Sequence, residues 1–260
     1  MYKSIKRFLR KSDILIKINE LWVYRNRRIF SKSLIELANK QGVEIGGPSQ
    51  VFSEKGPLPV YSIIKSLNNV NFSNNTFWSS ADEGNNFHFS ANKPNGMQII
   101  SDAVSIQKIE SSSYDFLLAS HVIEHIANPI KAILEWKRIV KINGLLVIIA
   151  PDMRNTYDRK RPITEFSHIV KDYNENVGEN DTTHFEEVMK LHDLSVDNTI
   201  KGIDEHISRT SHNFENRILH HHTFDKNLLI EILKHCDLKI INSQVFRPYH
   251  IAVVARKIND

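Results

Sequence analysis

The sequence predicts an α/β protein, a doubly wound and mostly parallel sheet with helices in the connections. Three observations carry this. Met97–Ile100, Tyr114–Ala119 and Leu145–Ala150 are short apolar runs, of the length of buried strands. Between the last two, Asn128-Pro129 offers an N-cap and a first-turn proline, the start signal of a helix. Strand, helix and strand in that order need a crossover connection, which favours parallel pairing. With 260 residues, 41% hydrophobic and 25% charged, the chain can bury one such core with additions.

Taken in order, residues 1–40 read as a basic helical arm, with Ile5, Phe8, Leu9, Leu34, Ile35 and Leu37 as its apolar positions. Residues 41–260 are expected to form the domain proper. It opens with Val43-Glu44-Ile45, a short strand running into Gly46-Gly47-Pro48-Ser49. Residues 50–96 are rich in Asn, Ser, Gly and Pro, with a helix expected near Val60–Leu67 and a strand near Val70–Phe72. The helix begun at Asn128 turns Ile130, Ile133, Leu134, Lys137 and Val140 to one side, and Asn143-Gly144 is expected to end it. Residues 153–222 form a long polar insertion with one helix near Phe185–Leu191, read as an acceptor-binding lid. Asp225 caps a further helix, with Phe224 and Leu229 at the positions of a hydrophobic staple. Leu238–Val245 and His250–Arg256 close the chain as two strands joined at Pro248.

Composition excludes several classes. No run of 18 apolar residues occurs, so no membrane span is expected, and no apolar leader follows the basic start. The lone Cys236 accords with a reducing cytoplasm and forms no internal disulfide. Residues 1–41 hold eleven Lys and Arg against three acids, a charge excess suited to phosphate, anionic lipid or an acidic partner. No nucleic-acid reading motif accompanies it, so nucleic acid is not an expected ligand.

Chemistry enters at the first turn. Adjacent glycines weaken a strand end unless something must approach the backbone closely, and doubly wound sheets bind ligands at this turn. The dinucleotide fingerprint G-x-G-x-x-G is absent, which argues against a nicotinamide cofactor. Val43-Glu44-Ile45-Gly46-Gly47-Pro48-Ser49 resembles motif I of class I S-adenosylmethionine-dependent methyltransferases. Ser101-Asp102-Ala103, the run Tyr114–Ile126 and Lys141-Ile142-Asn143-Gly144-Leu145-Leu146 resemble further blocks of the same enzymes, in the same order. The Glu-Ile-Gly-Gly-Pro-Ser variant resembles a bacterial branch associated with surface-polysaccharide and sugar modification.

The resemblance implies a Rossmann-like seven-stranded sheet with an antiparallel terminal strand, and S-adenosylmethionine as cofactor. It implies that Glu44 holds the cofactor's amino group, directly or through water, while Gly46, Gly47, Pro48 and Ser49 admit its methionine part. Asp102 and Ala103 would meet the adenine, and Ser120 and His121 would flank the sulfonium. An acidic residue normally ends the second strand and binds the ribose; Val70-Asn71-Phe72-Ser73-Asn74 offers none, so an Asn, Asp82 or Glu83 would have to serve.

Methylating a hydroxyl benefits from a general base, and histidine suits that task near neutral pH. Seven of the 13 histidines lie between residues 184 and 222. His222 and His221 stand just before the capped helix and resemble the histidine found there in sugar-modifying members of the family, which implies a catalytic role for them, with His125 as a third candidate. His184 with Glu186 or Glu187, His192 with Asp193, and the triple His220-His221-His222 could together supply ligands for a divalent ion, but no pair has the spacing of a known metal motif, so no metal ligand is assigned. The expected activity is O-methylation of a sugar, or of a nucleotide-linked or lipid-linked acceptor, in bacterial capsule or surface-polysaccharide synthesis. The alternative is a non-catalytic scaffold that keeps the fold.

Overall fold

A computed structural model describes residues 30–260 apart from Ser79 and Asn198. Most of the expected basic arm, residues 1–29, lies outside the described residues. Residues 30–34 are helical, and Phe30, Leu34 and Leu37 are buried, with the Phe30 ring edge-on to Phe246 at 5.3 Å.

Eight strands form one sheet: β1 (Gln41–Ile45), β2 (Ser66–Asn71), β3 (Gly84–Phe87), β4 (Gly96–Ile100), β5 (Tyr114–Ser120), β6 (Val140–Pro151), β7 (Leu238–Phe246) and β8 (His250–Lys257). Their order is β3-β4-β2-β1-β5-β6-β8-β7. β4, β2, β1, β5 and β6 run parallel. β8 is antiparallel to both neighbours, as expected of the terminal strand. The eighth strand corrects the expected seven: β3 adds an antiparallel edge to β4. Its sequence, Gly-Asn-Asn-Phe, carries no alternation, and only Phe87 is buried; Phe87 packs with Phe89 under the sheet, a tertiary contact that local pattern does not announce.

Period-2 alternation divides the core. Leu117 and Ala119, with Leu146, Ile148 and Ala150, face one apolar cluster, and Phe116, Leu118, Leu145, Val147 and Ile149 face the other. The first face is covered by helix α1 (Pro129–Ile139), α2 (Phe166–Asn174) and the helix Lys226–His235. The second is covered by residues 30–37 and the loop carrying Val51, Phe52, Leu58 and Tyr61. Burial on both sides is why these strands read as continuous apolar runs.

Local signals explain the helix starts. Asn128 Oδ1 accepts from the Lys131 N–H at 3.1 Å, with Pro129 in the first turn. Asp225 Oδ1 accepts from the Leu228 N–H at 2.9 Å, and Phe224 and Leu229 are both fully buried. Two expectations fail. α1 stops at Ile139, and Asn143, at φ 68°, sits in a register shift inside β6; the positive φ that Asn tolerates serves a strand irregularity, not a helix end. Residues 61–63 form a turn leading into β2 in place of a helix over 60–67, because parallel pairing with β1 claims the chain from Ser66 onward. The insertion carries more structure than expected: α2, α3 (Phe185–Leu191), α4 (Ile203–Ser211) and α5 (Asn213–Asn216), with α6 the Lys226–His235 helix. No helix among the described residues is long and apolar enough to cross a membrane.

Candidate active site

The carboxyl ends of β1, β2, β4 and β5 open on one edge of the sheet. β1 lies where the winding reverses, toward β2 and β4 on one side and toward β5 and β6 on the other, the position at which open α/β sheets bind ligands. A cavity of about 670 Å³ occupies this edge, within the range of small-molecule and cofactor sites.

Its floor is the turn after β1. Gly46 has φ 73° and donates its N–H to the Val70 carbonyl at 2.9 Å. A side chain there would be strained, and its Cβ would stand 2.8 Å from Val122 Cγ2. The Gly47 N–H donates to Asn69 Oδ1 at 2.8 Å, and Asn69 Nδ2 donates back to the Gly47 carbonyl at 3.1 Å. Glu44 lies fully buried beneath Gly47, where any Cβ would collide with its carboxylate. Tyr61 donates to Glu44 Oε2 at 2.6 Å and accepts from the Ser49 N–H at 2.7 Å. Glu44 Oε1 is buried with no partner. Burial raises the Glu44 pKa to about 7, against the hydrogen bonds from Ser49 and Tyr61.

The other strand ends complete the walls. Asn71 and Phe72 border the cavity after β2, and Asp102 and Ala103 after β4. Asp102 accepts from the Val104 N–H at 3.1 Å and pairs with Arg217 at 3.3 Å; Arg217 also meets Glu179 at 3.0 Å. Ser120 at the end of β5 has a buried hydroxyl with no partner. His121 follows at φ 56°, a conformation uncommon for a non-glycine residue and more frequent at functional sites. Its Nδ1 stands 3.4 Å from the Glu124 carboxylate and its Nε2 2.9 Å from His250 Nδ1.

Glu124 is almost fully buried. Burial disfavours its charge, yet His121, His125 and His220 around it hold its pKa below the usual range. Burial lowers His125 to about 4, helped by His220, and burial lowers His250 to about 4, helped by His121, so both are neutral at physiological pH. His220 behaves oppositely: burial opposes its charge, but Asp158 at 2.6 Å raises its pKa. Trp78 packs over His125 with ring centroids 5.1 Å apart, and Tyr249 over His121 at 5.5 Å.

Most sequence-predicted positions therefore meet at one place. Gly46, Pro48, Ser49, Asp102, Ala103, Ser120, His121 and His125 line the cavity, while Glu44 and Gly47 sit just behind its floor. His221 and His222 do not line it. His221 is fully buried beside Asn213 and Glu179, and His222 bonds Asp172 at 2.9 Å. A general base must reach its proton directly or through one water, so the site base is sought elsewhere. Asp82 and Glu83 are also away from the cavity, Glu83 being paired with Lys108 at 2.6 Å, whereas Asn71 borders it. Sequence reasoning missed Tyr61 and Asn69, which fix the floor, and the grouping of His121, Glu124 and His250. No local pattern joins His250 to His121, which lies 129 positions upstream.

Residues 80–148 match a family model described as a methyltransferase domain, a span that runs from β3 through the glycine-bearing half of β6. No curated protein matches the chain. Among solved structures, the chain is similar to a SAM-dependent methyltransferase from Aquifex aeolicus, at 11% identity over 89% of each chain and a TM-score of 0.45. A SAM-dependent methyltransferase from Methanosarcina mazei is 15% identical over 86% of this chain and 94% of that one, with a TM-score of 0.44.

Proposed function

We propose, from the premise that the chain is an S-adenosylmethionine-dependent methyltransferase, that it methylates a hydroxyl of a small polar acceptor with His121 as general base. The carrying observation is the placement of His121 between the Glu124 carboxylate and His250 on the cavity wall.

The cofactor fits the residues present. Glu44 Oε1 is an orphaned buried acceptor under a glycine turn that no side chain can fill, suited to holding an ammonium group through water. Asp102 offers the carboxylate for an adenine amino group, and Asn71 offers a carboxamide to ribose hydroxyls. Bound there, S-adenosylmethionine supplies a methyl group already activated on a sulfonium. The protein's task is to align the acceptor, exclude water and remove its proton.

With a carboxylate on its Nδ1 side, His121 is favoured with Nδ1 protonated, which leaves Nε2 as the basic nitrogen. Nε2 then accepts from His250 and turns to an incoming hydroxyl when the acceptor displaces that contact. Glu124 stabilises the imidazolium that forms. Trp78 and Tyr249 offer aromatic faces to the C–H side of a sugar ring, and Lys55 and Arg217 on the cavity wall suit a phosphate-linked acceptor. Together with the resemblance of the Glu-Ile-Gly-Gly-Pro-Ser turn, these support a sugar acceptor of bacterial capsule or surface-polysaccharide synthesis.

The test uses methyl-labelled S-adenosylmethionine with a panel of nucleotide-linked sugars. An alkali-stable ether product is expected, with turnover falling about 10²–10⁴-fold in His121→Gln while cofactor affinity stays unchanged. Label found on nitrogen or carboxylate, or full turnover in His121→Gln, overturns the reading. Cofactor binding without transfer to any acceptor favours the scaffold reading.

A further inference from the structure

We propose a second site, a structural zinc centre of His168, Asp172, His184 and His222, which ties α2, the start of α3 and the C-terminal end of the insertion to one another. One donor atom from each of these four residues falls within 4.8 Å of all the others. His168 Nε2 lies 3.1 Å from His184 Nε2 and 3.3 Å from Asp172 Oδ2, and His222 Nε2 lies 2.9 Å from the same Oδ2. A tetrahedral ion with ligands at about 2.0–2.1 Å needs donor separations of about 3.3 Å, so small adjustments close the shell. Three imidazoles and one carboxylate form a donor set that suits zinc over magnesium or calcium.

The placement of the ligands gives the centre its task. His168 and Asp172 are four apart on α2 and share a face. His184 precedes α3, and His222 belongs to the extended segment before α6. The four residues thus join three stretches of chain, the last of them 38 residues beyond His184. That cross-link answers a deficit: among the described residues of 153–222, only Met153, Ile169, Val188 and Leu219 are buried hydrophobics, against eleven buried polar or charged residues. Small apolar contribution is the condition under which metal clips stabilise a segment. The clamp also bears on the cavity, because the stretch between α2 and α3 carries Glu179, which lines it, meets Arg217 and accepts from the Ala127 N–H at 3.0 Å. All four donors come from protein, so the centre holds the wall and takes no part in methyl transfer.

The full-length protein, purified without added metal and dialysed extensively, is assayed for metal by mass spectrometry. About one zinc per chain is expected, with a cobalt-substituted form showing the intense visible absorption of a tetrahedral N/O site. His222→Ala is buried and risks the fold, so His168→Ala, on the more exposed side of the shell, is the deciding variant. It is expected to weaken zinc binding by more than the roughly 10–100-fold that loss of an outer partner costs, and to abolish the drop in melting temperature caused by a chelator in the wild type. His88→Ala, at a surface histidine far along the chain, keeps both. Less than a tenth of an equivalent with no zinc-dependent shift in melting, or full retention in His168→Ala, overturns the proposal.

Discussion

At the scale of single residues, Glu44 concentrates the argument. The carboxyl pays its desolvation cost without a cation, which is why its pKa stands at about 7. The sign follows from linkage. A folded-state pKa above the unfolded value means that the native protein binds more protons between roughly pH 4.5 and 7. Glu44's favourable contribution is fully present below the unfolded value and is lost as pH rises through about 7. The difference corresponds to about 3 kcal/mol for a fully buried group. Denaturant titrations at pH 5 and pH 7.5 are expected to show a steeper loss of stability for the wild type than for Glu44→Gln; equal slopes would contradict the assignment. Cofactor binding near pH 6.5 is expected to expel a proton, seen as a binding heat that depends on buffer ionisation enthalpy, and Glu44→Gln is expected to lose that dependence. The sequence made Glu44 visible because it stands two residues before a glycine pair. It could not show Tyr61 or Asn69, since nothing local marks a tyrosine or asparagine as the partner of a remote carboxylate. The same limit bears on the base: three consecutive histidines are conspicuous in sequence, yet His221 and His222 do not line the cavity, whereas His121 and His125 border it beside the buried Glu124.

At the scale of elements, capping carries information that the sequence displays openly. Asn128 caps α1 and its Nδ2 also donates to the Asp172 carbonyl at 3.1 Å, so one side chain starts a helix and ties it to α2. Asn128→Ala is expected to cost about 1–2 kcal/mol, the upper part of the range for a lost cap, as a lower urea midpoint at constant m-value; a loss below about 0.5 kcal/mol would mean the cap is dispensable. The strands β5 and β6 were legible because burial on both faces leaves a continuous apolar run. β3 was not, since a four-residue edge strand with one buried side chain has almost no pattern. Asn143-Gly144 shows the ambiguity of turn residues: tolerance of positive φ permits a helix end or a strand bulge, and neighbouring strand pairing decides which.

At the scale of the molecule, the order of strands does what no single motif does. Parallel strands place Ile45, Asn71, Ile100 and Ser120 on one edge, so motifs separated by some 75 residues line one cavity. The insertion leaves β6 at that same edge and returns before α6, which makes it a wall of the site; its boundaries were readable from composition, and of its internal helices α3, over Phe185–Leu191, was readable while the others were not. A ligand held by so many elements stabilises all of them together: S-adenosylmethionine at a hundred times its Kd is expected to add about 2.7 kcal/mol. The most direct test is calorimetric titration of the full chain with S-adenosylmethionine, beside Gly46→Arg verified as folded by circular dichroism. Single-site binding by the wild type, abolished in Gly46→Arg, is the result expected of a cofactor seated on the glycine turn. Undiminished binding by the variant, or none by the wild type, would contradict it.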